Sequence, residues 1–174
     1  NGNLIVIVGA SGVGKDTLLN EIKRKLIHFH FVRRYITRNL DETNEDHIPI
    51  SSSDFQKKAK DGFFAITWEA HCLSYGIPKD IDDKLKKGID VIFNGSRLAL
   101  EQIKENYPDA KIICITASKK TIESRLIVRN RENKADIKKR LNREVIKLPS
   151  DTIYVENESD LETGVKKLIN ALDY

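Results

Sequence analysis

Buried strands alternate with amphipathic helices along most of the chain. The sequence opens with a continuous apolar, β-branched run, Leu4–Val8, followed by Gly9, which predicts a central strand of a parallel sheet. Four apolar residues then share one face of a predicted helix: Leu18, Leu19, Ile22 and Leu26. Further buried strands are predicted at 90–93 and 112–115, and another strand at 152–155, with helices at 98–103, 121–129, 135–147 and 161–172. This alternation predicts an α/β fold, a central parallel sheet flanked by helices.

The segment from about 35 to 88 interrupts the alternation and is more polar. Its predicted elements are strands near 35–37 and 63–68, a helix with a capping box at Ser53 and Gln56 that ends at Gly62, and a short helix between Pro78 and Gly88. We interpret it as an insertion above the carboxyl ends of the strands, where open α/β sheets bind ligands. The insertion is too small for a separate domain, so 1–174 is predicted to be one domain with its core at 1–34 and 89–174.

Composition narrows the class of protein. The 174 residues are 40% hydrophobic and 32% charged, which is enough for one core and a solvated surface. The chain has no run of about 18 apolar residues and no signal-peptide pattern, so neither a membrane span nor secretion is expected. The two cysteines, Cys72 and Cys114, have no disulfide or metal-binding spacing. A reduced, cytoplasmic setting is therefore predicted.

The net charge of +4 is unevenly distributed. Residues 119–147 contain eleven Lys or Arg and four acids, a local charge of +7, which leaves −3 for the rest of the chain. Such a segment predicts either an anionic partner or simply a solvated basic helix pair. It contains no aromatic residue to stack bases and matches no nucleic-acid-binding motif, so a nucleic-acid partner is not expected.

The segment Gly9–Lys15 has the pattern G-x-x-x-x-G-K of a phosphate-binding loop. It follows a predicted strand and begins a predicted helix, which is the context that such a loop requires. Its glycines let successive N–H groups point at one anion, the helix N-terminus adds partial positive charge, and Lys15 reaches the β- and γ-phosphates. The predicted nucleotide-binding residues are Gly9, Ala10, Ser11, Gly12, Val13, Gly14, Lys15, Asp16 and Thr17. A glycine-rich turn without a ligand is the alternative.

Asp16 stands where a Ser or Thr hydroxyl normally binds Mg²⁺ in such loops. The strand at 90–93 ends in Asn94, without the acid that usually supports the metal. We hypothesise that Asp16 supplies this carboxylate, directly or through water, and is the metal ligand. Alternatively, Asp16 only stabilises the start of its helix.

Arg125 and Arg129 are four residues apart and share a helix face. With the basic helix that follows, they predict a lid, at about 125–143, that closes over the transferring phosphates. Phosphoryl transfer depends on positioning and on cations at the phosphoryl oxygens, so both arginines are candidate catalytic residues together with Lys15 and Asp16. Surface ion pairs are the alternative role of each arginine.

Over nearly its whole length the sequence resembles the guanylate-kinase-like branch of the P-loop nucleoside-monophosphate kinases. The motifs that carry the resemblance are the phosphate loop, Thr37-Arg38, Gly62-x-Phe64, Tyr75-Gly76-x-Pro78 and Arg125-Leu126-x-x-Arg129. The resemblance implies that Arg38 and Tyr75 hold the phosphate of the acceptor. It also shows departures: Asp41 or a neighbour replaces a second phosphate-binding Arg, His47 a Tyr, and Ile66 the carboxylate that reads guanine. An acceptor without a guanine base is therefore implied.

Within that branch the chain resembles the ribose 1,5-bisphosphate phosphokinases of phosphonate catabolism. The motifs are Gly14-Lys-Asp16, Arg33-Arg34, Thr37-Arg38, Glu45-Asp-His47, Trp68-x-Ala70-His71, Tyr75-Gly-Ile-Pro78 and Asn94-Gly-Ser-Arg97. The resemblance implies phosphorylation of ribose 1,5-bisphosphate to 5-phosphoribosyl 1-diphosphate, with ATP as donor and Mg²⁺ as cofactor. The implied substrate residues are Arg34, Arg38, His47, His71, Tyr75 and Arg97, with Glu45, Asp46 and Asn94 toward the ribose hydroxyls. For His47, His71 and Trp68, purely structural roles are the alternative.

Two other functions stay open from the sequence. One is a nucleoside monophosphate kinase of altered acceptor preference, and the other is a guanylate-kinase-like interaction module without catalysis. The intact Gly14-Lys15 pair and the arginine lid favour a kinase. Neither the choice between ATP and GTP nor the oligomeric state follows from the sequence.

Overall fold

The computed structural model of the protein describes residues 1–10, 12–38, 47–128 and 147–172. The strands are β1 (Leu4–Gly9), β2 (His30–Phe31), β3 (Arg34–Ile36), β4 (His47–Pro49), β5 (Phe64–Ala70), β6 (Leu73–Pro78), β7 (Val91–Asn94), β8 (Lys111–Thr116) and β9 (Ile153–Glu156). The helices are α1 (Lys15–Lys25), α2 (Ser52–Lys60), α3 (Ile81–Lys86), α4 (Leu100–Asn106), α5 (Lys119–Val128) and α6 (Leu161–Ala171), and a 3₁₀ turn covers Arg97–Ala99.

The predicted α/β architecture is confirmed. The four strands expected in the core of the fold are β1, β7, β8 and β9, and with β2 they form a sheet of order β2-β7-β1-β8-β9. The pairs β2–β7 and β8–β9 are parallel. Residues 4–8 of β1 are all buried, at 4% exposure or less, because a central strand is covered on both faces.

The chain divides into two compact units. The first unit comprises Asn1–Val6 and Ile27–Lys111, and the second comprises Ile7–Leu26 and Ile112–Tyr174. The predicted phosphate loop is in the second unit, and the predicted insertion is in the first. The single-domain assignment stays a prediction.

The predicted insertion contains a second, mixed sheet of order β4-β3-β6-β5. Strand β3 pairs with β4 in parallel and with β6 antiparallel, and β5 pairs with β6 as a hairpin. The hairpin turn consists of His71 and Cys72, both with positive φ, at 52° and 61°. Two consecutive residues in this conformation are the signature of a type I′ turn, whose twist matches that of the strands. The strands β2, β4 and β6 were not predicted.

The predicted start of helix α2 was wrong by two residues. The side chain of Ser51, not Ser53, accepts a hydrogen bond from the Asp54 amide, at 3.1 Å. This choice places Ile50 immediately before the cap and Phe55 at the fourth helical position, and both are buried. Such a pair is a hydrophobic staple, which two equivalent serines in the sequence do not reveal.

Most of the predicted lid lies outside the described residues. The same is true of the helix predicted at 135–147, except for its last residue, Lys147, which is not helical. Among the described residues, no helix has both the length and the apolar character needed to cross a membrane.

Candidate active site

The phosphate loop joins β1 to α1 in the second unit. Gly12 and Gly14 both have φ of +85°, a conformation that L side chains rarely adopt. At Gly9, a Cβ would lie 2.8 Å from the carbonyl oxygen of Ile115, so only glycine fits between the loop and β8. The backbone therefore requires the glycines that the motif supplies, as expected of a phosphate cradle. Ser11 lies outside the described residues.

Lys15, Asp16 and Thr17 form the first turn of α1. The side chains of Asp16 and Thr17 are exposed, and Lys15 is half-buried. A carboxylate in a first helical turn interacts favourably with the helix dipole, so both hypotheses for Asp16 fit its position. The described residues contain no group of three or more His, Cys, Asp or Glu that could hold a metal by itself. Mg²⁺ at Asp16 would therefore need phosphate oxygens, which is how this ion is usually bound in kinases.

The side chain of Asn157 is hydrogen-bonded to the backbone of the phosphate loop. It follows β9, is 7% exposed, and donates a hydrogen bond from Nδ2 to the Val13 carbonyl oxygen at 2.7 Å. Its backbone N–H donates to the carbonyl oxygen of Thr116 at the end of β8, also at 2.7 Å. The amide is tightly enclosed, since a Cβ at Gly14 would lie 2.4 Å from Nδ2 and one at Gly164 2.6 Å from Oδ1. The sequence alone does not indicate these two hydrogen bonds, because they join segments that are distant along the chain.

Arg125 also donates to the Val13 carbonyl oxygen and, in addition, to the carbonyl oxygen of Asn157. Its Nη1 donates to Val13 O at 3.1 Å and its Nη2 donates to Asn157 O at 2.7 Å. In this structure the guanidinium thus links α5 to the backbone of the phosphate loop. The role of Arg125 toward the phosphates stays a prediction, and Arg129 lies outside the described residues.

Glu158 caps the helix that carries Arg125, which the sequence did not reveal. Its carboxylate accepts hydrogen bonds from the Ser118 amide and from the Thr121 hydroxyl, the latter at 2.6 Å. These donors, Thr121 first, hold the pKa of Glu158 below its usual range because they stabilise the charged form. Asn157 and Glu158 together therefore connect the loop after β9 to both the phosphate loop and α5.

Three of the predicted substrate residues lie on one face of the mixed sheet. In the sheet register Arg34 pairs with His47, and Tyr75 pairs with Ile36, two residues after Arg34, so all three side chains share a face. Tyr75 is 6% exposed and stacks on Trp68, with ring centroids 5.3 Å apart and planes 2° from parallel. The Arg34 guanidinium lies 5.5 Å from the centroid of the same tyrosine ring.

The other predicted substrate residues are dispersed through the first unit. Arg38 follows β3 and is half-buried, and Asn94 is the last residue of β7. Arg97 begins the 3₁₀ turn that packs on β5. His71 is at the exposed tip of the hairpin, three residues beyond Trp68 or about 10 Å along the strand, so the structure does not bring it to the Tyr75 face. Glu45 and Asp46 lie outside the described residues.

Gln102 fixes strand β5, the free edge of the mixed sheet. Its Nε2 donates to Thr67 O at 2.9 Å, and its Oε1 accepts from Thr67 N at 3.1 Å. The side chain thus replaces the neighbouring strand that an edge lacks. This bidentate contact holds the strand that carries Trp68, and nothing in the sequence indicated it.

The opposite face of the mixed sheet is aromatic. Tyr35 makes edge-to-face contacts with Phe63 and Phe64, and the Phe64 ring lies over Gly76, where a Cβ would come within 2.5 Å of it. A cavity of about 470 Å³ borders this side, lined by Tyr35, Ile48, Pro49, Ile50, Asp54, Lys57, Lys58 and Asp61. Of the predicted substrate residues that the structure describes, none lines it.

The model of the guanylate kinase family matches residues 1–174, the whole chain. The chain belongs to the guanylate kinase family. Members of this family are kinases, so a phosphotransferase fold with a nucleotide-binding loop is confirmed. A crystal structure of guanylate kinase from Anaplasma phagocytophilum superposes with a TM-score of 0.72, covering 99% of this chain and 85% of that one. Since the two sequences are 19% identical, this likeness shows the fold alone.

Relatives with higher identity bear a more specific name. Proteins named ribose 1,5-bisphosphate phosphokinase are 40% identical in Rhizobium etli (strain CIAT 652) and 38% identical in Pseudomonas fluorescens (strain SBW25). Each match covers 99% of this chain, and 90% and 96% of the respective relative. A third relative of that name, from Acidiphilium cryptum (strain JF-5), is 41% identical over 94% of this chain and 88% of its own length. The narrower resemblance drawn from the sequence motifs is thus supported along nearly the full chain.

Proposed function

We propose that this protein transfers the γ-phosphoryl group of ATP to ribose 1,5-bisphosphate, forming 5-phosphoribosyl 1-diphosphate. The observation that carries the proposal is the near-full-length similarity, at about 40% identity, to relatives named for this activity. The acceptor side agrees, because Ile66 occupies the position of the guanine-reading carboxylate and is 1% exposed. The side chain of isoleucine has no hydrogen-bonding group, so it cannot recognise the edge of a guanine base as a carboxylate does.

The donor side of the reaction is the phosphate loop. The residues fit a nucleotide, since Gly12 and Gly14 hold the loop in a curled backbone and α1 begins directly after it. Lys15 would neutralise the β- and γ-phosphates, and Asp16 would hold Mg²⁺ together with phosphate oxygens. When bound, Mg²⁺ supplies charge neutralisation and orientation of the transferring group.

The acceptor is a phosphate oxygen, which is already an anion near neutral pH, so the reaction needs no general base. The chain must supply cations and accurate placement instead. Arg34, Arg38 and Arg97 are the candidate arginines for the two acceptor phosphates, whereas Arg33, next to Arg34 in the sequence, donates from Nη2 to the His47 carbonyl oxygen at 3.0 Å. Arg125 and Arg129 would close over the γ-phosphate, for which an arginine at the transition state has the required geometry.

Phosphorus NMR tests the proposal directly. ATP and Mg²⁺ are incubated with ribose 1,5-bisphosphate, GMP or AMP, and the products are followed over time. A diphosphate on C1 of the sugar supports the proposal, GDP or ADP formed from the added monophosphate would favour a nucleotide kinase, and the absence of any transfer would favour an interaction module.

A variant of the phosphate loop shows whether the phosphoryl transfer depends on this loop. Lys15→Ala should lower turnover by at least about 10²-fold, because a cation at the transferring phosphates is lost. Its circular dichroism spectrum and melting temperature should remain close to wild type. Undiminished turnover by a folded Lys15→Ala variant would contradict the assignment of the loop.

A further inference from the structure

Both ring faces of Tyr75 are occupied by side chains of the chain itself. Trp68 lies parallel to the ring at a centroid distance of 5.3 Å, and the Arg34 guanidinium is 5.5 Å from its centroid. Strand β6, which carries Tyr75, lies between β3 and β5 in the mixed sheet. Arg34 on β3 and Trp68 on β5 therefore approach the tyrosine from its two sides.

This three-layer stack is well buried. Trp68 is 8% exposed and Tyr75 is 6% exposed, so little of either aromatic face is open to a ligand. The register places Trp68 directly opposite Tyr75, and the bidentate contact of Gln102 with Thr67 fixes β5 next to the tryptophan. The strand pairing of β5 with β6 and the contact of Gln102 with β5 therefore fix the relative positions of Trp68 and Tyr75.

A flat nucleobase is bound mainly through stacking on an aromatic face and hydrogen bonds to its edge. This face of the sheet offers no open aromatic face, because the rings of Trp68 and Tyr75 stack on each other. It also offers no hydrogen bond to a base edge at Ile66, the buried residue two positions before Trp68 on the same face. What the stack does present is the guanidinium of Arg34, which suits a phosphate. The chemistry of this face matches a phosphorylated acceptor that has no base.

We propose that Trp68 determines acceptor specificity, by covering the Tyr75 face on which the base of a nucleotide would stack. This inference rests on the proposed function and deepens it, since it names the residue that separates a sugar phosphate from a nucleoside monophosphate. Trp68 acts here by exclusion rather than by attraction, which is how many specific sites reject a near relative of the substrate.

Removal of the indole tests the proposal. In Trp68→Ala, one face of Tyr75 is uncovered, and kcat/KM for GMP or AMP should rise by roughly 10- to 100-fold, the range that stacking of one base supplies. Trp68→Phe keeps a flat ring over Tyr75 and is the matched control, in which nucleotides should still be rejected. Should Trp68→Ala unfold, as its melting curve would show, Trp68→Leu retains apolar volume without a flat ring and should show the same gain.

The experiment separates this inference from the proposed function. Wild-type protein that phosphorylates ribose 1,5-bisphosphate establishes the function whatever the variants do. Folded Trp68→Ala and Trp68→Leu variants that keep this activity and still reject both nucleotides would overturn the role of Trp68. A wild-type protein that phosphorylates GMP and not the sugar would overturn the proposed function first.

The tryptophan fluorescence of the wild-type protein tests whether the stack lies in the acceptor site, without any variant. Trp68 is the only tryptophan of the chain, so its emission reports on this stack alone. Ribose 1,5-bisphosphate should change the emission as it binds beside Arg34, whereas GMP without donor should leave it unchanged. A sugar that is turned over without affecting the emission, or GMP that quenches it at micromolar concentration, would refute the placement of the stack in the acceptor site.

Discussion

Gly164 and Asn157 are predicted to be energetically coupled, and Gly164→Ala exposes the coupling. In an ordinary buried helix this substitution stabilises a protein by up to about 1 kcal/mol, since alanine has the higher helix propensity. Here the new Cβ would lie 2.6 Å from Asn157 Oδ1 and 2.9 Å from Leu18 Cδ2. The leucine methyl is the end of a flexible side chain and can move. The asparagine amide cannot move cheaply, because its Nδ2 is bonded to the phosphate loop at 2.7 Å.

Overpacking of this kind costs about 1–3 kcal/mol, which exceeds the propensity gain. We therefore expect Gly164→Ala to lower the free energy of unfolding by about 1–2 kcal/mol in the wild-type background. Asn157→Ala alone loses one buried hydrogen bond, worth about 1 kcal/mol, while Val13 O keeps its bond from Arg125. In the Asn157→Ala background the alanine at 164 no longer meets an amide and should be neutral or slightly stabilising.

Urea unfolding of the two single variants and the double variant, followed by circular dichroism, measures the coupling as a double-mutant cycle. A coupling of about 1–2 kcal/mol is expected. Asn170→Ala, at an exposed position of the same helix, is the control and should change stability by only a few tenths of a kcal/mol. If Gly164→Ala stabilises the wild type, or costs the same in both backgrounds, the enclosure of the Asn157 amide is refuted.

Three further outcomes are expected. Gln102→Ala should cost about 1–3 kcal/mol in urea unfolding, because both hydrogen bonds to Thr67 are lost, whereas Glu101→Ala on the exposed side should be neutral. Burial, together with the charge of the nearby Lys84, lowers the pKa of His30 below 6.5. The unfolded state therefore binds a proton more readily than the folded state. As a result, the free energy of unfolding decreases as the pH falls below 6.5 through the pKa of the folded state. His30→Asn should therefore lose less melting temperature than wild type on acidification, and an equal loss would contradict this. Asp16→Ser should alter the Mg²⁺ concentration needed for half-maximal turnover, and an identical titration would leave only the favourable interaction of Asp16 with the dipole of α1.

Much of the fold was predictable because its signals are local. The run Leu4–Val8 is apolar on both faces, which only a central strand satisfies, and the glycines of the phosphate loop follow it directly. Gly62 and Gly88 end α2 and α3 with positive φ, as the sequence indicated. In each case a few consecutive residues are enough to determine the local conformation.

The contacts that complete the site are not local. Asn157 and Glu158 look like polar loop residues until β9 brings them next to Val13 and Ser118. Ser51 and Ser53 present equivalent capping patterns, and only the burial of Phe55 decides between them. Such features depend on which distant segments meet, and a linear pattern does not contain this information.

The hydrogen bond from Asn157 to Val13 also has a consequence for the synthesis of the chain. It joins residues 144 positions apart, and the bond from Arg125 to the same carbonyl spans 112. The phosphate loop is synthesised before both residues that hold it, Arg125 in α5 and Asn157 after β9. Contacts of such long range form late, after much chain entropy has been lost. A nascent chain that stops before β9 therefore carries the G-x-x-x-x-G-K motif without Asn157, and the loop acquires this support only after β9 has been synthesised.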